Sequence, residues 1–328
     1  MRIYVEYAGN MAPMHNLFSP ISLGKVRLPN RIVLTAAPSG YAAPGGFVDA
    51  ALAQYYILRA QGGVGLLVFE HTHVLPPSDS SIPHVGLYGD AQIAALHLCI
   101  AEIRHHQTNV MVMLDHPQPA DALSTNELLD IGEAFITAAW RAHAAQAQGV
   151  MLSTADGGIF EHLVSPLRNQ RTDQHGGSLA NRLRLLLGVI EGIHRWLGER
   201  FVIGVRINVE EFAPGGITLQ DARVITKRLI GAGVKLIEVT AVSNSGAPIA
   251  HFPGWQVPLA SGIKSISEVP VLVGGLSDDE LLADSVIHDG SADLISATEI
   301  LRVHPTWPIH AQQLIARLNS PRSNISNL

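Results

Sequence analysis

SPLRNQRTDQHGGSLANR, residues 165–182, is the connection on which the reading of this chain turns. It is too polar for a core and too dense in Arg, Asp, Gly and Asn for a passive linker. Before it stands an apolar run of strand length, GVMLSTA (149–155), and after it LRLLLGVIEGIHRWLG (183–198), whose apolar residues recur at helical spacing. The stretch therefore joins a strand to a helix. Whether that unit repeats decides the fold.

It repeats in both directions. Short apolar runs bounded by turn residues occur at 31–37, 64–70, 109–116, 149–155, 201–208, 235–241, 269–276 and 292–298. Helical patterns separate them, from DAALAQYYILRAQGG near the start to HPTWPIHAQQLIARLN near the end. Near-continuous apolar strands alternating with helices imply a parallel sheet covered by helices. Eight such units match an α/β fold of the (β/α)8 TIM-barrel class, which takes about 250 residues plus insertions. A doubly wound sheet would place a glycine fingerprint after its first strand, and LTAAPSGYAAPGG (34–46) lacks that spacing. No linker, repeat or charge block divides the chain, so it reads as a single barrel domain over 17–310. Residues 1–16 are expected to form a flexible leader, and 311–328 a helix end and tail.

Composition narrows the function. The chain has 328 residues, 47% hydrophobic and 15% charged, with a net charge of −6. That balance argues against nucleic acid or an anionic membrane surface as partner and leaves a small-molecule substrate, with room for a homo-oligomer. One cysteine, Cys99 in AALHLCIAEI, excludes an internal disulfide or an all-cysteine cluster and reads as a buried thiol. No run approaches the roughly 18 apolar residues of a membrane span, and the N-terminus lacks a secretory h-region. The expected location is the cytoplasm.

In a barrel, chemistry sits in the strand-to-helix loops, and 165–182 is such a loop. Its NQRTDQHGGSLANR (169–182) resembles the N-x-R-T-D-x-Y-G-G-S-x-x-N-R text of the Old Yellow Enzyme family of FMN-dependent oxidoreductases, with His175 in place of the tyrosine. Further stations agree in order and spacing: 17–35, 55–74, 205–222, 262–276 and 290–308. The resemblance implies a barrel that binds FMN with NAD(P)H as reductant. It also implies that Arg171, Asp173, Asn181 and Arg182 act as scaffold.

The residues of the expected active site depart from the pattern. After strand four the family carries H-x-x-H or H-x-x-N followed by G-Y, the histidines holding a carbonyl oxygen and the tyrosine giving a proton. Here those places are filled by Ser153, Asp156 and Gly158. Glycine has no proton to give, and an ionised Asp156 would repel an enolate-like oxygen. At the family's flavin-contact stations, Met113 replaces a glutamine, Ala36-Ala37 replaces a Pro-Met or Ala-His pair, and Thr298-Glu299 replaces the Gly-Arg that meets the phosphate. Thr35, Arg206 and the pair Gly274-Gly275 survive as flavin-edge, N1/O2-side and phosphate-side contacts. Arg206 would otherwise serve as an ion-pair partner of Glu210 or Glu211, and the glycine pair as a plain turn. The loop after strand three is short, which implies an open mouth.

His71, His116, Asp156 and Ser153 are the candidates to face substrate. His71 and His73, two apart near Asp115, His116 and Asp156, also have a spacing a metal could use. Sixteen histidines make chance clustering easy, and no metal is assigned. Three functions follow. The leading one is an FMN oxidoreductase with atypical substrate chemistry, not a standard enone reductase. The alternatives are a flavin-free isomerase, lyase or cyclase using Asp156 and the histidines as acid and base, and a catalytically inactive binding subunit.

Overall fold

The computed structural model describes residues 16–78, 81–242, 252–276 and 279–319. Eight strands form at the eight expected places: β1 Ile32–Leu34, β2 Leu66–His73, β3 Asn109–Asp115, β4 Gly149–Thr154, β5 Val202–Asn208, β6 Leu236–Thr240, β7 Val271–Val273 and β8 Leu294–Ser296. Each pairs in parallel with the next, and β1 pairs with both β2 and β8, so the sheet closes. A two-residue strand, Val85–Gly86, adds to the end of β2.

Helices cover the barrel: α1 Ala50–Gln61, α2 Ile93–His105, α3 Thr125–Ala144, α4 Arg184–Leu197, α5 Leu219–Gly231, α6 Val257–Lys264, α7 Glu280–His288 and α8 Trp307–Asn319. Local chemistry sets where they begin. Asp49 accepts from the Leu52 amide at 2.9 Å ahead of α1. Ser124 with Glu127, and Thr218 with Asp221, form reciprocal capping boxes at α3 and α5. α8 runs through the boundary expected at 310, because Ala311 and Ile315 are buried against the barrel. The leader expected over 1–16 and the end of the tail lie almost wholly outside the described residues.

The core has two layers. Between strands and helices lies a large aliphatic and aromatic shell, which includes Cys99. Burial pushes the Cys99 thiol up to about 12, so it stays protonated. Inside the barrel a smaller cluster contains Val33, Leu66, Val68, Met111, Met113, Met151, Val202, Leu236, Leu272 and Leu294. Leu23 and Leu28, from the antiparallel hairpin Ile21–Leu23/Val26–Leu28, join this inner cluster and close the N-terminal end of the barrel.

The opening stretch is scaffold. Arg171 donates from Nη1 to the carbonyls of Ala120 and Leu123 and pairs with Asp173 through Nε and Nη2. Asn169 Nδ2 donates to Leu163 O and His175 O, and Asn181 Nδ2 to Gly176 O. Arg182 donates to Val164 O and Gly177 O. A Cβ at Gly176 would overlap the Arg171 carbonyl, which explains the glycine there.

Candidate active site

The mouth of the barrel follows from strand periodicity. Side chains alternate between the two faces of a strand, so the inward position after each inner-core residue lies two further on. At that step apolar gives way to polar or bare: Val33 to Thr35, Met151 to Ser153, Leu236 to Glu238, Leu272 to Gly274 and Leu294 to Ser296, with Arg206 two beyond Gly204. Parallel register sets Ser153, Arg206 and Glu238 side by side across β4, β5 and β6.

A cavity of about 650 Å³ opens over this layer. Its lining includes Thr35, Ala36, Arg206, Glu238, Trp255, Gly274, Gly275, Ser296 and Thr298. On one side the hydroxyls of Thr35, Ser296 and Thr298 lie 2.8–3.1 Å apart in a closed triangle. On another, the main chain at the end of β7 is bare. Gly275 has φ +72°, and a Cβ there would come within 2.9 Å of the Trp255 indole nitrogen.

Arg206 is held from three sides. Its Nη1 donates to Asp156 Oδ2 at 2.8 Å and its Nη2 to Ala36 O at 2.9 Å, while Nε faces Glu238 Oε2 at 3.1 Å. Burial opposes its charge, yet the two carboxylates outweigh burial and raise its pKa. Asp156 also accepts from Ser153 Oγ at 2.8 Å. Its partial burial works to raise its pKa, but Arg206, His71 and these hydrogen bonds prevail and hold it below the usual carboxylate range. Glu238 is shifted the other way: complete burial raises its pKa in spite of Arg206. Asp156 has φ +70°, a conformation that Asp and Asn tolerate better than other side chains.

His71 links this cluster to β3. Its Nδ1 lies 3.2 Å from Asp115 Oδ2 and its Nε2 3.7 Å from Asp156 Oδ2. Asp115 Oδ1 accepts from the His116 amide and stands in the space beside Gly158, where a Cβ would approach it to 2.5 Å. A side chain at position 158 would therefore have to displace the Asp115 carboxylate.

The structure brings Thr35, Ala36, Arg206, Gly274, Gly275 and Thr298 into one cavity. Asp156, Ser153 and His71 form a hydrogen-bonded and ionic cluster on Arg206. Two expected residues lie elsewhere. Met113, placed by the resemblance at a flavin edge, is fully buried in the inner core, because its inward direction on β3 meets Met111 and Met151 below the mouth. His116 turns toward Gln118, Nε2 to Oε1 3.3 Å, and burial lowers its pKa. Nor does Arg206 pair with Glu210 or Glu211, whose carboxylates accept from the amides of Leu219 and Ile217. Among the described residues, no three His, Cys, Asp or Glu converge as a metal site.

Glu238 and Ser296 were not singled out from the sequence. The signal was present: each is a polar residue two beyond an inward leucine in an otherwise apolar strand, KLIEVTA and ADLISAT. Trp255 carried no such signal, since its position depends on the path of a long loop.

Fold and cavity together define a (β/α)8-barrel protein with its site at the C-terminal ends of the strands. The model of the NADH:flavin oxidoreductase / NADH oxidase family matches residues 16–122 and 114–317. An NADH oxidase of Thermoanaerobacter brockii is 30% identical over 348 residues, covering 96% of this chain and 53% of the relative. An NADPH dehydrogenase of Halalkalibacterium halodurans is 31% identical over 321 residues, covering 90% and 94%. The fold is similar to that of a 2-naphthoyl-CoA reductase solved with 2-naphthoyl-CoA, with TM-score 0.84 and 20% identity over 91% of this chain and 52% of that one. The chain thus spans about half the length of the Thermoanaerobacter relative and nearly all of the Halalkalibacterium one. It belongs to the NADH:flavin oxidoreductase / NADH oxidase family.

Proposed function

We propose that this chain is an FMN-dependent oxidoreductase that takes reducing equivalents from NAD(P)H and acts on a small molecule other than a simple enone. The residues present fit the cofactor. The cavity is large enough for a ring and side chain, Gly274 and Gly275 leave main chain exposed to a phosphate, and the triangle of hydroxyls suits a neutral heteroatom edge. Arg206 would lie toward the pyrimidine side. When bound, FMN supplies hydride chemistry; the chain's own residues orient, exclude water and move protons. His71 is oriented through Nδ1 by Asp115 and points Nε2 toward the Asp156 side; with Nδ1–H donated to Asp115, Nε2 would be the nitrogen that accepts a proton, the pattern of a base aligned by a carboxylate.

The observation that carries the restriction on substrate is the pair Gly158 and Asp115. The proton-donor position has no side chain, and a carboxylate occupies the space into which one would grow. A positioned general acid contributes about 10²–10⁴-fold. Turnover of 2-cyclohexenone, followed by NADPH oxidation without oxygen, is therefore expected to be at least about a hundredfold slower than in a tyrosine-bearing relative. Brisk turnover would overturn this reading of strand four.

Glu299 is on the wall of the same cavity, where its charge faces solvent and Arg302. Its side chain is 82% exposed and lies 3.8 Å from Arg302. Because an exposed charge is worth less than about 1 kcal/mol, Glu299→Arg is expected to tighten FMN by no more than about threefold in a fluorescence titration. A gain beyond about tenfold would put the phosphate within its reach.

The chain of contacts Asp115–His71–Asp156 favours one second reading, acid–base catalysis without flavin. The visible spectrum of the purified protein, before and after incubation with FMN and desalting, separates the two. A protein that stays colourless abandons the first.

A further inference from the structure

Among the described residues that line the cavity, Arg206 is the one lysine or arginine. A lone cation would make the cavity a site for negative charge. This one is committed, with Nη1 to Asp156, Nη2 to the Ala36 carbonyl and Nε to Glu238. Glu238 already meets it from deep in the barrel at 3.1 Å. Asp156 is the surplus carboxylate. It is partly exposed, and its Oδ2 is shared between Arg206 and Ser153, with His71 Nε2 3.7 Å away. Arg206, Asp156 and Glu238 together carry one net negative charge when both acids are ionised.

We infer that Asp156 lowers the reduction potential of the bound flavin by cancelling the positive charge of Arg206. The inference rests on the reading that FMN occupies this cavity with Arg206 at its pyrimidine end. Hydride from NAD(P)H carries two electrons and one proton and leaves NAD(P)⁺ behind. The ring that receives it gains one negative charge. A free guanidinium beside that charge would favour the reduced form; a guanidinium clamped between two carboxylates does so far less, because the charge it offers is already met. Asp156 is thus assigned a tuning role, acting through Arg206 and not by contact with substrate.

Asp156→Asn tests this with little disturbance. Asparagine tolerates the φ of +70°, and its carbonyl oxygen can still accept from Arg206 and Ser153, so charge is removed while hydrogen bonding is kept. The holoenzyme's two-electron midpoint potential is measured against a reference dye at pH 7 for the wild type, Asp156→Asn and Asp130→Asn, an exposed site on α3 that alters net charge equally. Asp156→Asn is expected to shift the reduced-to-oxidised ratio at fixed potential about tenfold toward reduced, a rise of about 30 mV, and Asp130→Asn less than twofold. A shift below threefold, a downward shift, or an equal response in Asp130→Asn overturns the assignment. Asp156→Gly, comfortable at the same φ, is expected to move the potential in the same direction and decides the matter if the asparagine variant does not fold. Wild-type protein that takes up no FMN defeats the cofactor reading and this inference with it; bound flavin with an unmoved potential defeats this inference alone.

Discussion

Arg206→Met is expected to cost roughly 3–5 kcal/mol of folding stability, the range for breaking a buried ion pair from one side, and to abolish tight FMN binding. The substitution keeps the aliphatic stem and removes the charge on which two carboxylates depend. Glu238 is buried at the floor of the cavity and faces the Arg206 Nε at 3.1 Å. Asp156 loses its 2.8 Å partner but can turn to water. The penalty therefore concentrates on Glu238. Burial already raises its pKa in the folded state, so its charged form is disfavoured there. A group whose folded pKa lies above the unfolded one contributes stability at low pH and loses it as pH rises through the folded value. Urea unfolding of Arg206→Met is accordingly expected to show a larger deficit at pH 8 than at pH 5.5. A deficit independent of pH would mean that Glu238 is not the group left stranded.

Arg171→Ala is expected to be of similar size, roughly 3–5 kcal/mol, though it lies outside the cavity. The guanidinium is largely buried, donates to two carbonyls and grips Asp173 with two nitrogens. Its loss leaves the Ala120 and Leu123 carbonyls without this donor and frees the loop after β4. Asp173 supplies a second readout. Arg171 first, and then the His175 amide and the Thr125 hydroxyl, hold its carboxyl well below the usual range. A depressed folded pKa gives stability above the unfolded pKa that is lost as pH falls toward the folded one. The wild type should therefore lose stability steeply below about pH 4, where an unfolded aspartate takes up its proton, and Arg171→Ala should lose less over the same interval. Parallel acid titrations followed by circular dichroism would detect the difference; identical slopes would remove the pair from the account.

The barrel was legible because it depends on pattern. Eight apolar runs at strand length became eight strands with edges displaced by no more than three residues. The site was legible only in part, because a side chain's neighbour across a sheet depends on register. Arg206 invited pairing with Glu210 or Glu211, its neighbours in sequence. Parallel register instead sets it between Ser153 and Glu238, while the two glutamates are absorbed by local amides. Met113 was placed by analogy at the rim, yet on β3 it is Asp115, two residues on, that reaches His71. That position 158 has no side chain could be read directly from the letters. That Asp115 Oδ1 stands beside it could not, since 43 residues separate them.

The loop over 165–182 bears on which positions are free to change. Bonds from Asn169, Arg171, Asn181 and Arg182 end chiefly on peptide oxygens: those of Leu163, His175, Ala120, Leu123, Gly176, Val164 and Gly177. Every amino acid offers the same carbonyl, so the loop places few demands on the identity of the residues it grips. Its own lettering is constrained, while the segments it holds in place, at Ala120 and Leu123 after β3 and at Leu163 and Val164 after β4, are left open to substitution. A lineage could rewrite the chemistry at the barrel mouth one residue at a time without loosening the clasp that keeps the mouth in shape.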